Sequence, residues 1–330
     1  MFEKELTIPI PLQQIEAFLR RIQKDHVKRP LAEDKARILR SGYYGEKNLN
    51  YFLNLLPEKN YRIFHNIRLS TGTAYFQIDF LLISPKLMLI LDSKNHSGTL
   101  IFEKKQLIQI TNDGEKIYPN PISQVYRHKY LLKKFLESYQ IPIIPIEYHV
   151  VITNPSTKVV ISPGYEEAEK RVWKAEDLLI KMEAMEKIFN KELFDKRNIL
   201  KTRKLILQNH TPERLNVLKM FGTNKSEILP GVQCPRCLSL PMEYKGGLRW
   251  ECPTCQYISK TAFYQAIQDF FLIIKPSITH SELRHFLQIP NARLTTHILS
   301  LCDLPFSGKT KDRIYYQNST NHVSTQSDKQ

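Results

Sequence analysis

The sequence has 330 residues, which is too long for one ordinary hydrophobic core, so we expect two or three domains. Its hydrophobic fraction of 42% excludes a disordered chain. The 48 Lys and Arg against 33 Asp and Glu give a formal net charge of +15, which favours nucleic acid or an anionic membrane as partner, although a merely soluble basic protein would also carry it.

The chain has no sequence feature of export or of a membrane span. Its most apolar stretch, residues 80–91, is interrupted by Ser84, Pro85 and Lys86 and is too short to cross a bilayer. The first residues include acids and no continuous apolar run, so we expect no signal peptide, no membrane partner and a cytoplasmic location. In a reducing compartment, paired cysteines bind metal more often than they form disulfides.

The first 155 residues alternate between helical and strand-like patterns. Apolar residues at helical spacing predict a helix over 12–40, within an N-terminal helical extension of residues 1–40. Gly42 to Gly45 interrupts this pattern, and Glu46 opens a second helix. Strand-like runs follow at 61–69, 74–83, 87–94 and 99–110, then a helix from Pro121 and a strand over 144–153. This order predicts a mixed α/β domain over residues 41–155.

The rest of the chain is divided by four cysteines. We predict a helical connector over 156–230, in which Thr211 and Pro212 start a helix and Gly222 ends it. A zinc ribbon over 231–260 and a helical module over 261–317 follow. The polar tail, 318–330, is predicted to be disordered.

Three charged residues flank one predicted hairpin. If the hairpin is centred between Pro85 and Lys86, a centre that a four-residue loop preserves, Asp79 faces Asp92, and Lys94 shares a strand face with Asp92. Opposed carboxylates repel each other and are costly to bury, and a Mg²⁺ ion would offset that cost. Alternatively, the aspartates lie in solvent at strand ends and Lys94 pairs with one of them. A slip of one residue would separate the acids.

Four short motifs occur in order between Ser41 and Thr153. They are Gly42-Tyr-Tyr-Gly45-Glu46, Gln77-Ile-Asp79, Asp92-Ser-Lys94-Asn95 with Ser97-Gly98, and Asn120-Pro-Ile-Ser-Gln124. In this order they resemble the nuclease-related domain family, NERD, which is itself similar to the PD-(D/E)xK nucleases. The resemblance implies an α/β fold with a restriction-endonuclease-like αβββαβ core. It also implies phosphodiester hydrolysis that depends on Mg²⁺ or Mn²⁺.

The resemblance also implies roles for single residues. Asp79 and Asp92 would be metal ligands, and Glu46 would reach the metal directly or through water. Lys94 would be the catalytic lysine, and Gln124 would orient the water or the substrate phosphate. The family usually has glutamate where this chain has Asp92, so the carboxylate is shorter by one methylene. Without the resemblance, Glu46 would be a helix carboxylate favoured by the macrodipole and Gln124 a structural residue of its helix.

Several basic residues are candidates for contact with phosphate. Arg127 and Lys133 lie on the helix that carries Gln124, and Arg293 lies near the C-terminus. Arg127 and His128, three and four residues after Gln124, share a helix face with it and could contact phosphates. The alternative for these residues is an ordinary solvated helix surface. His65 lies in a strand-like run, and we expect it to be structural.

The cysteines form two CxxC pairs separated by fourteen residues: Cys234, Cys237, Cys252 and Cys255. Two such pairs complete a tetrahedral site with no open position, so we expect one structural Zn²⁺. Gly246-Gly247 between the pairs predicts a hairpin turn. A ribbon with so little core needs its metal to fold, and ribbons bind DNA, RNA or protein.

The C-terminal module contains two predicted helices, 279–289 and 291–301, joined at Pro290 and followed by a strand-like run at 313–316. A capping box from Thr279 to Glu282 starts the first helix. This order is similar to a helix-turn-helix with a wing, in which Arg293, Thr295, Thr296 and His297 would face a DNA groove. The alternative is a small helical packing or interaction module.

Together these features predict a cytoplasmic, Mg²⁺-dependent, nuclease-like protein that hydrolyses nucleic acid, with DNA as the expected substrate. The ribbon and the C-terminal helices would help to hold DNA, and the positive charge would add sequence-independent affinity. The rival hypothesis is a nuclease fold with weak or lost chemistry that acts as a nucleic-acid-binding or regulatory module, which Asp92 favours. A basic membrane-surface protein is a weaker third hypothesis, because no helix has a clear Lys-rich amphipathic face.

Overall fold

The computed structural model of the protein describes residues 1–58, 60–309 and 312–318. The described residues form two compact units, one from Met1–Pro9 and Ile38–Glu213, the other from Ile10–Arg37 and the described part of the chain after Glu213. From residue 319 on, the predicted disordered tail lies outside the described residues. Among the helices of the described ranges, none combines the length and hydrophobicity that a bilayer span requires.

The helices and strands, in chain order, are β1 (Phe2–Lys4), α1 (Ile10–Arg21), α2 (Arg29–Leu53), β2 (Arg62–Ser70), β3 (Tyr75–Ile83), β4 (Met88–Lys94), β5 (Thr99–Phe102), β6 (Gln106–Thr111), β7 (Gly114–Pro119), α3 (Pro121–Ser138), β8 (Ile146–Ile152), β9 (Lys158–Ile161), α4 (Glu166–Arg171), β10 (Val172–Lys174), α5 (Leu178–Ile188), α6 (Lys196–Asn209), α7 (Val217–Phe221), β11 (Glu243–Tyr244), β12 (Trp250–Glu251), β13 (Ile258–Ser259), α8 (Phe263–Ile273), β14 (Ser277–Thr279), α9 (His280–Leu287), α10 (Ala292–Leu301), β15 (Phe306–Ser307) and β16 (Ile314–Tyr316).

The first unit is built on a six-stranded mixed sheet with the order β1-β2-β3-β4-β8-β10. Strands β2, β3 and β4 are antiparallel, whereas β8 runs parallel to β4 and β10 parallel to β8. A second sheet has the order β7-β6-β5-β9, and its β5–β7 meander lies in the chain between β4 and α3. The unit is therefore a mixed α/β fold, as predicted.

Hydrophobic side chains cover both faces of the six-stranded sheet. One core cluster contains Leu132 of α3 and Ile206 of α6, and the other contains Leu49 of α2 and Leu178 of α5. All four are fully buried, and each side chain of this kind contributes about 1.5–3 kcal/mol to folding. The sheet is thus fixed between helices on its two sides, which holds its polar residues in place.

The hairpin between β3 and β4 has the predicted register. Phe80 pairs with Leu91 and Ile83 with Met88, so the ladder is centred between Pro85 and Lys86. The connection is the four-residue loop 84–87 rather than a two-residue turn, and within it the backbone N–H of Ser84 donates to the carbonyl oxygen of Leu87 at 3.0 Å. The ladder ends at the pair of Phe80 and Leu91, and Asp79 and Asp92 are the residues next to this pair on their strands.

Strands β2 and β3 share an irregularity at Asn66 and Asp79. Residues on one strand face are normally separated by an even number, yet Ile78 and Leu81 of β3 face the same core cluster. The β2–β3 ladder skips the pair of Asn66 and Asp79, and Asn66 has a left-handed φ of 50°. The kink therefore interrupts the β2–β3 ladder at Asp79, one of the predicted metal ligands.

The interruption predicted at Gly42 to Gly45 is wrong, because α2 runs through both glycines without a break. Gly45 instead allows a close approach: a Cβ atom at this position would lie 2.6 Å from Cβ of Asn95 and 2.9 Å from Oγ1 of Thr153. The glycine motif thus marks packing of the helix against strand ends. The helix predicted over 12–40 is also wrong, since α1 and the start of α2 are separate helices.

Other local predictions need correction. The run over 99–110 is two strands, β5 and β6, and the segment predicted as a helical connector contains β9 and β10, which extend the two sheets. A strand of three or four residues is too short for its alternation of apolar and polar residues to identify it, so it is recognised only when its partner strands are known. The helix expected at Thr211 begins only at Val217, with Asn216 as N-cap, whereas its predicted end at Gly222 is confirmed by a left-handed φ of 61°.

The second unit contains the small sheets β11-β12-β13 and β14-β16-β15 together with α1 and α7–α10. Helix α1 is joined to α8 by a buried ion pair, in which Nε of Arg21 lies 2.8 Å from Oδ2 of Asp269 and both side chains are fully buried. The capping box at Thr279 is confirmed, and Asn291 caps α10.

Candidate functional site

Lys94, at the end of β4, lies between a carboxylate and an amide. Its Nζ is 2.7 Å from Oδ2 of Asp92 and 3.5 Å from Oε1 of Gln124. Gln124 is in the first turns of α3, whose N-cap Asn120 accepts a hydrogen bond from the N–H of Ile122 at 2.8 Å. The structure therefore brings together three of the predicted site residues, from one strand and one helix.

Asp79 is held against the neighbouring strand by Ser93. Its Oδ2 accepts hydrogen bonds from the backbone N–H of Ser93 at 2.9 Å and from the Ser93 hydroxyl at 3.2 Å. Burial and the negative charges of Asp92 and Glu46 raise the pKa of Asp79 to about 7, although Lys94 acts in the opposite direction. The two other predicted metal ligands, Asp92 and Glu46, therefore act on Asp79 as like charges.

Glu46 projects from α2 and contacts His65 of β2, with 2.5 Å between Oε2 of the glutamate and Nε2 of the imidazole. Burial raises the pKa of Glu46 to about 7, opposed by Lys4 and reinforced by Asp92. Burial and Lys4 lower the pKa of His65 to about 4, so this ring is neutral at pH 7. An ionised Glu46 accepts a hydrogen bond from Nε2–H of His65, and a protonated Glu46 donates one to Nε2, so the contact fixes the orientation of the glutamate in both forms.

Lys4 is a residue of this site that sequence reasoning missed. Its Nζ donates to the carbonyl oxygens of His65 at 2.7 Å and of Asn66 at 3.3 Å. Burial lowers the pKa of Lys4 to about 8, whereas Glu46 acts to raise it. The strand β1 that carries Lys4 has three residues, and no local pattern in the sequence reveals that it pairs with β2.

His128 lies one helical turn after Gln124 on α3, so both side chains point to the same side of the helix. Burial lowers the pKa of His128, and the charges that act on it are those of Asp92, Lys94 and Arg127. In the described ranges of the chain, its buried Nδ1 has no hydrogen-bond partner. The i, i+4 spacing from Gln124 already predicts this shared face from the sequence.

The donor atoms of the site suit a hard divalent cation. Carboxylate oxygens are the ligands that Mg²⁺ prefers, and burial together with the negative charge of Asp92 raises the pKa of both Glu46 and Asp79. Within the described residues, however, only the four cysteines form a set of three or more metal-binding residues whose ligand atoms lie within 4.8 Å of one another. The carboxylates are suitable ligands for Mg²⁺, but their oxygen atoms lie farther apart than the sulfur atoms of the four cysteines.

The three basic candidates for phosphate contact differ in their surroundings. Arg127 is exposed on α3, and Lys133, also exposed, lies 3.7 Å from Glu137. Arg293 belongs to the other unit, where it lines an open pocket of about 800 Å³ with Tyr244 and Leu248. Arg127 and Lys133 therefore share a helix with the candidate site, and Arg293 does not.

The four cysteines form a compact cluster in the second unit. Sγ of Cys234 lies 3.6 Å from Sγ of Cys255, and Sγ of Cys237 lies 3.4 Å from Sγ of Cys252. These separations exclude disulfides and approach the value of about 3.8 Å that follows from a tetrahedron with Zn–S bonds of about 2.3 Å. The cluster is compatible with a structural metal such as zinc.

The two CxxC turns have the same backbone conformation. In the first, the N–H of Leu238 donates to the carbonyl oxygen of Cys234 at 3.0 Å, and in the second Gln256 donates to Cys252 at 2.8 Å. Leu238 and Gln256 both have a left-handed φ, of 63° and 57°. The predicted turn at Gly246-Gly247 is confirmed by the pairing of Tyr244 with Trp250. The matching hydrogen bonds and left-handed residues of the two CxxC turns are typical of two equivalent metal-binding knuckles.

Comparison with known proteins gives one family. Residues 41–153 match the model of the nuclease-related domain family. No curated protein and no solved structure matches the chain. The matched segment contains Glu46, Asp79, Asp92, Lys94 and Gln124. The chain therefore carries a nuclease-related domain at residues 41–153, followed by a cluster of four cysteines consistent with a zinc ribbon.

Proposed function

We propose that this protein is a divalent-metal-dependent nuclease that hydrolyses phosphodiester bonds of nucleic acid. The observation that supports the proposal most strongly is the position of Lys94, whose ammonium lies beside Asp92 and within reach of Gln124. Asp79 lies next to this group, on the adjacent strand. A cationic donor beside two carboxylates and an amide is a combination suited to phosphoryl chemistry.

Each side chain of the site has a proposed task. Asp79, Asp92 and Glu46 would hold Mg²⁺ or Mn²⁺, which, when bound, polarises a phosphoryl oxygen and lowers the pKa of a water molecule. Lys94 would donate to the phosphoryl oxygen on which negative charge develops. Gln124 would orient the attacking water or the phosphate, and His65 would hold Glu46 in position.

We assign the catalytic core to α2, β2, β3, β4, α3 and β8, in the αβββαβ order of restriction-endonuclease-like folds. The order helix, three antiparallel strands, helix, and a strand parallel to β4 supports this assignment. We also propose that the four cysteines bind one structural Zn²⁺ and that DNA is the substrate. The basic composition, with a net charge of +15, supports a polyanionic partner.

The C-terminal elements support a proposed winged helix-turn-helix. Helices α9 and α10 follow one another closely, and β15 and β16 form a hairpin that pairs with β14. The exposed residues of α10 include Arg293, Thr296 and His297 but no acid, whereas Thr295 is fully buried and cannot face a groove. We propose that α10 contacts DNA through this face.

Incubation of supercoiled plasmid with the purified, zinc-loaded chain tests the enzyme. With Mg²⁺ or Mn²⁺ we expect nicking or linearisation, reduced about 10²–10³-fold in Asp79→Ala and in Lys94→Ala. Lys105→Ala, which removes an exposed lysine from the β5–β6 turn, should cleave at the wild-type rate. Equal cleavage by all variants would place the activity outside this site.

The second candidate function is a nucleic-acid-binding module of nuclease fold with weak or lost chemistry. Two observations favour it: Asp92 is shorter than the glutamate usual in the family, and Lys94 already neutralises it at 2.7 Å. Asp92→Glu separates the candidates. It should raise the cleavage rate of a weak enzyme, whereas a module binds plasmid without cleavage in both forms.

A further inference from the structure

We propose that the outer face of α3 binds single-stranded nucleic acid and leads it to the candidate site. This face, the α3 track, consists of Tyr126, Arg127, Tyr130, Lys133 and Lys134, all exposed. The proposal rests on the proposed function and names the form of the substrate. It is carried by aromatic rings and positive charges that alternate along a helix whose other side is buried.

The two tyrosines expose large aromatic surfaces at helical spacing. Tyr126 is 54% exposed and Tyr130, one turn later, is 51% exposed. Tyr126 is supported from below by an edge-to-face contact with Tyr148, at 5.8 Å between ring centroids. Tyr148 is itself buried and lies under the guanidinium of Arg171, at 4.1 Å. Tyr126 therefore presents its ring to solvent from a fixed support.

The positive charges of the track lie among these rings. Nζ of Lys134 is 4.7 Å from the centroid of Tyr130, and Arg127 is adjacent in sequence to Tyr126. Glu137, an acidic residue near the track, pairs with Lys133, with 3.7 Å between Oε1 of the glutamate and Nζ of the lysine. Cations that follow a phosphate backbone and rings on which bases stack are the two components of single-strand binding surfaces.

The spacing of the rings favours a single strand over a duplex. Residues four apart on a helix are displaced by about 6 Å along its axis, whereas stacked bases in duplex DNA are separated by about 3.4 Å. A strand can place one base on each tyrosine only if its bases are unstacked. In a duplex the base faces are covered by their neighbours and cannot reach either ring.

The track begins beside the candidate site. Gln124, whose side chain reaches Lys94 at 3.5 Å, lies on α3 just before Tyr126 and Arg127. His128 lies one helical turn after Gln124 and is the next residue after Arg127 of the track. A strand that stacks on Tyr126 and Tyr130 is therefore held next to the residues proposed to cleave it.

Binding of fluorescein-labelled oligothymidylate, measured by anisotropy without added divalent metal, tests the track. Tyr126→Ala/Tyr130→Ala should weaken binding about 30-fold or more, since it removes two base–ring stacks that contribute about 1–3 kcal/mol each. Tyr126→Phe/Tyr130→Phe should bind like the wild type, because stacking needs the ring and not the hydroxyl. Tyr51→Ala, at a tyrosine 63% exposed on α2, is the matched control and should change nothing.

The contribution of the lysines is tested separately, by the salt dependence of binding. Lys133→Gln/Lys134→Gln should reduce the slope of log K against log salt by about 1.4, because each phosphate contact to a single strand contributes about 0.7. The tyrosine variants should leave the slope unchanged. Circular dichroism and the melting temperature show whether each variant is folded.

The proposal is overturned if Tyr126→Ala/Tyr130→Ala binds the oligonucleotide within about twofold of wild type, or if a hairpin duplex binds as tightly as the single strand. Failure of the proposed function looks different. A wild type that shows the tyrosine-dependent binding and never cleaves plasmid retains the track and rejects the nuclease. Cleavage that is independent of the tyrosines retains the nuclease and rejects the track.

Discussion

Asp79 combines two roles at the residue scale, since it anchors one strand to the next and carries a carboxyl group in a cluster of like charges. Its hydrogen bonds to Ser93 stabilise the ionised form, yet burial and the charges of Asp92 and Glu46 outweigh them. A bound cation would reverse this balance. Without one, the carboxylate costs stability whenever it is ionised.

The pH dependence of stability follows from this imbalance. The pKa of Asp79 rises from 3.8 to about 7 on folding, so the native state binds the proton more tightly and stability falls as pH rises between these values. Asp79→Asn, which cannot ionise, should therefore gain about 1 kcal/mol or more relative to wild type between pH 5 and pH 8 in metal-free buffer.

The measurement is urea unfolding followed by fluorescence of Trp173, which lies in the first unit, in a background with Trp250→Phe. Asp113→Asn, at an exposed turn residue, is the control and should show no pH-dependent difference from wild type. A constant difference between Asp79→Asn and wild type at both pH values would show that Asp79 is not destabilised by ionisation.

At the scale of single elements, α2 illustrates how a helix is fitted to the sheet that it covers. Gly42 and Gly45 both lie inside it, and both reduce its intrinsic helix propensity. Only Gly45 faces a neighbour, and Nδ2 of Asn95 donates to the carbonyl oxygen of Ser41 at 2.8 Å nearby. The two glycines of the motif therefore have different structural causes.

Alanine at these two positions should have effects of opposite sign. Gly42→Ala meets no atom within 4 Å and should stabilise the chain by about 0.5–1 kcal/mol through helix propensity. Gly45→Ala introduces a methyl group 2.6 Å from Asn95 and should destabilise by about 1–3 kcal/mol, because α2 must move away from the ends of β4 and β8. Thermal melts of both variants check this, and a stabilised Gly45→Ala would refute the packing explanation.

The sequence predicts elements well where a pattern is long and local. The β3–β4 hairpin, α3 and the two CxxC turns are of this kind, since alternation, an N-cap at Asn120 and ligand spacing specify each of them. The strands β1, β9 and β10 are too short to have a period, and their place in the sheets depends on distant partners. The kink at Asn66 is equally invisible, because a left-handed residue inside a strand is selected by tertiary packing.

The same distinction applies to the candidate site. Asp79, Asp92, Lys94 and Gln124 lie in motifs that can be recognised in sequence, and the hairpin register brings the first two to neighbouring strands. The charge of Lys4 acts on Glu46 only because β1 pairs with β2, some 60 residues apart in the chain. His65 contacts Glu46 because α2 packs against the sheet that contains β2. Their contribution to the site has no local signal.

At the scale of the whole molecule, the chain contains two units with different sources of stability. The first has large hydrophobic clusters on both faces of its sheet. In the ribbon of the second, each strand has only two residues, although Trp250 is buried against Phe263 at 5.3 Å between ring centroids. The ribbon should therefore depend on its metal far more than the first unit does.

Removal of zinc tests this dependence. Chelation, or Cys237→Ser, should abolish the protection of backbone amides from hydrogen exchange over 231–260 and leave protection in β3, β4 and β8 unchanged. Cys302→Ser, at a cysteine outside the cluster, should retain one equivalent of zinc and full protection. Protected ribbon amides after complete loss of metal would contradict the account.

The central claim is that Asp79 and Asp92 share one divalent cation beside Lys94. The most direct measurement is a crystal structure of the zinc-loaded chain soaked in Mn²⁺, with anomalous scattering recorded above and below the manganese edge. The account predicts a manganese peak within coordination distance of both carboxylates, with Glu46 linked to it directly or through water. Full manganese occupancy elsewhere, with no peak at these aspartates, would contradict it.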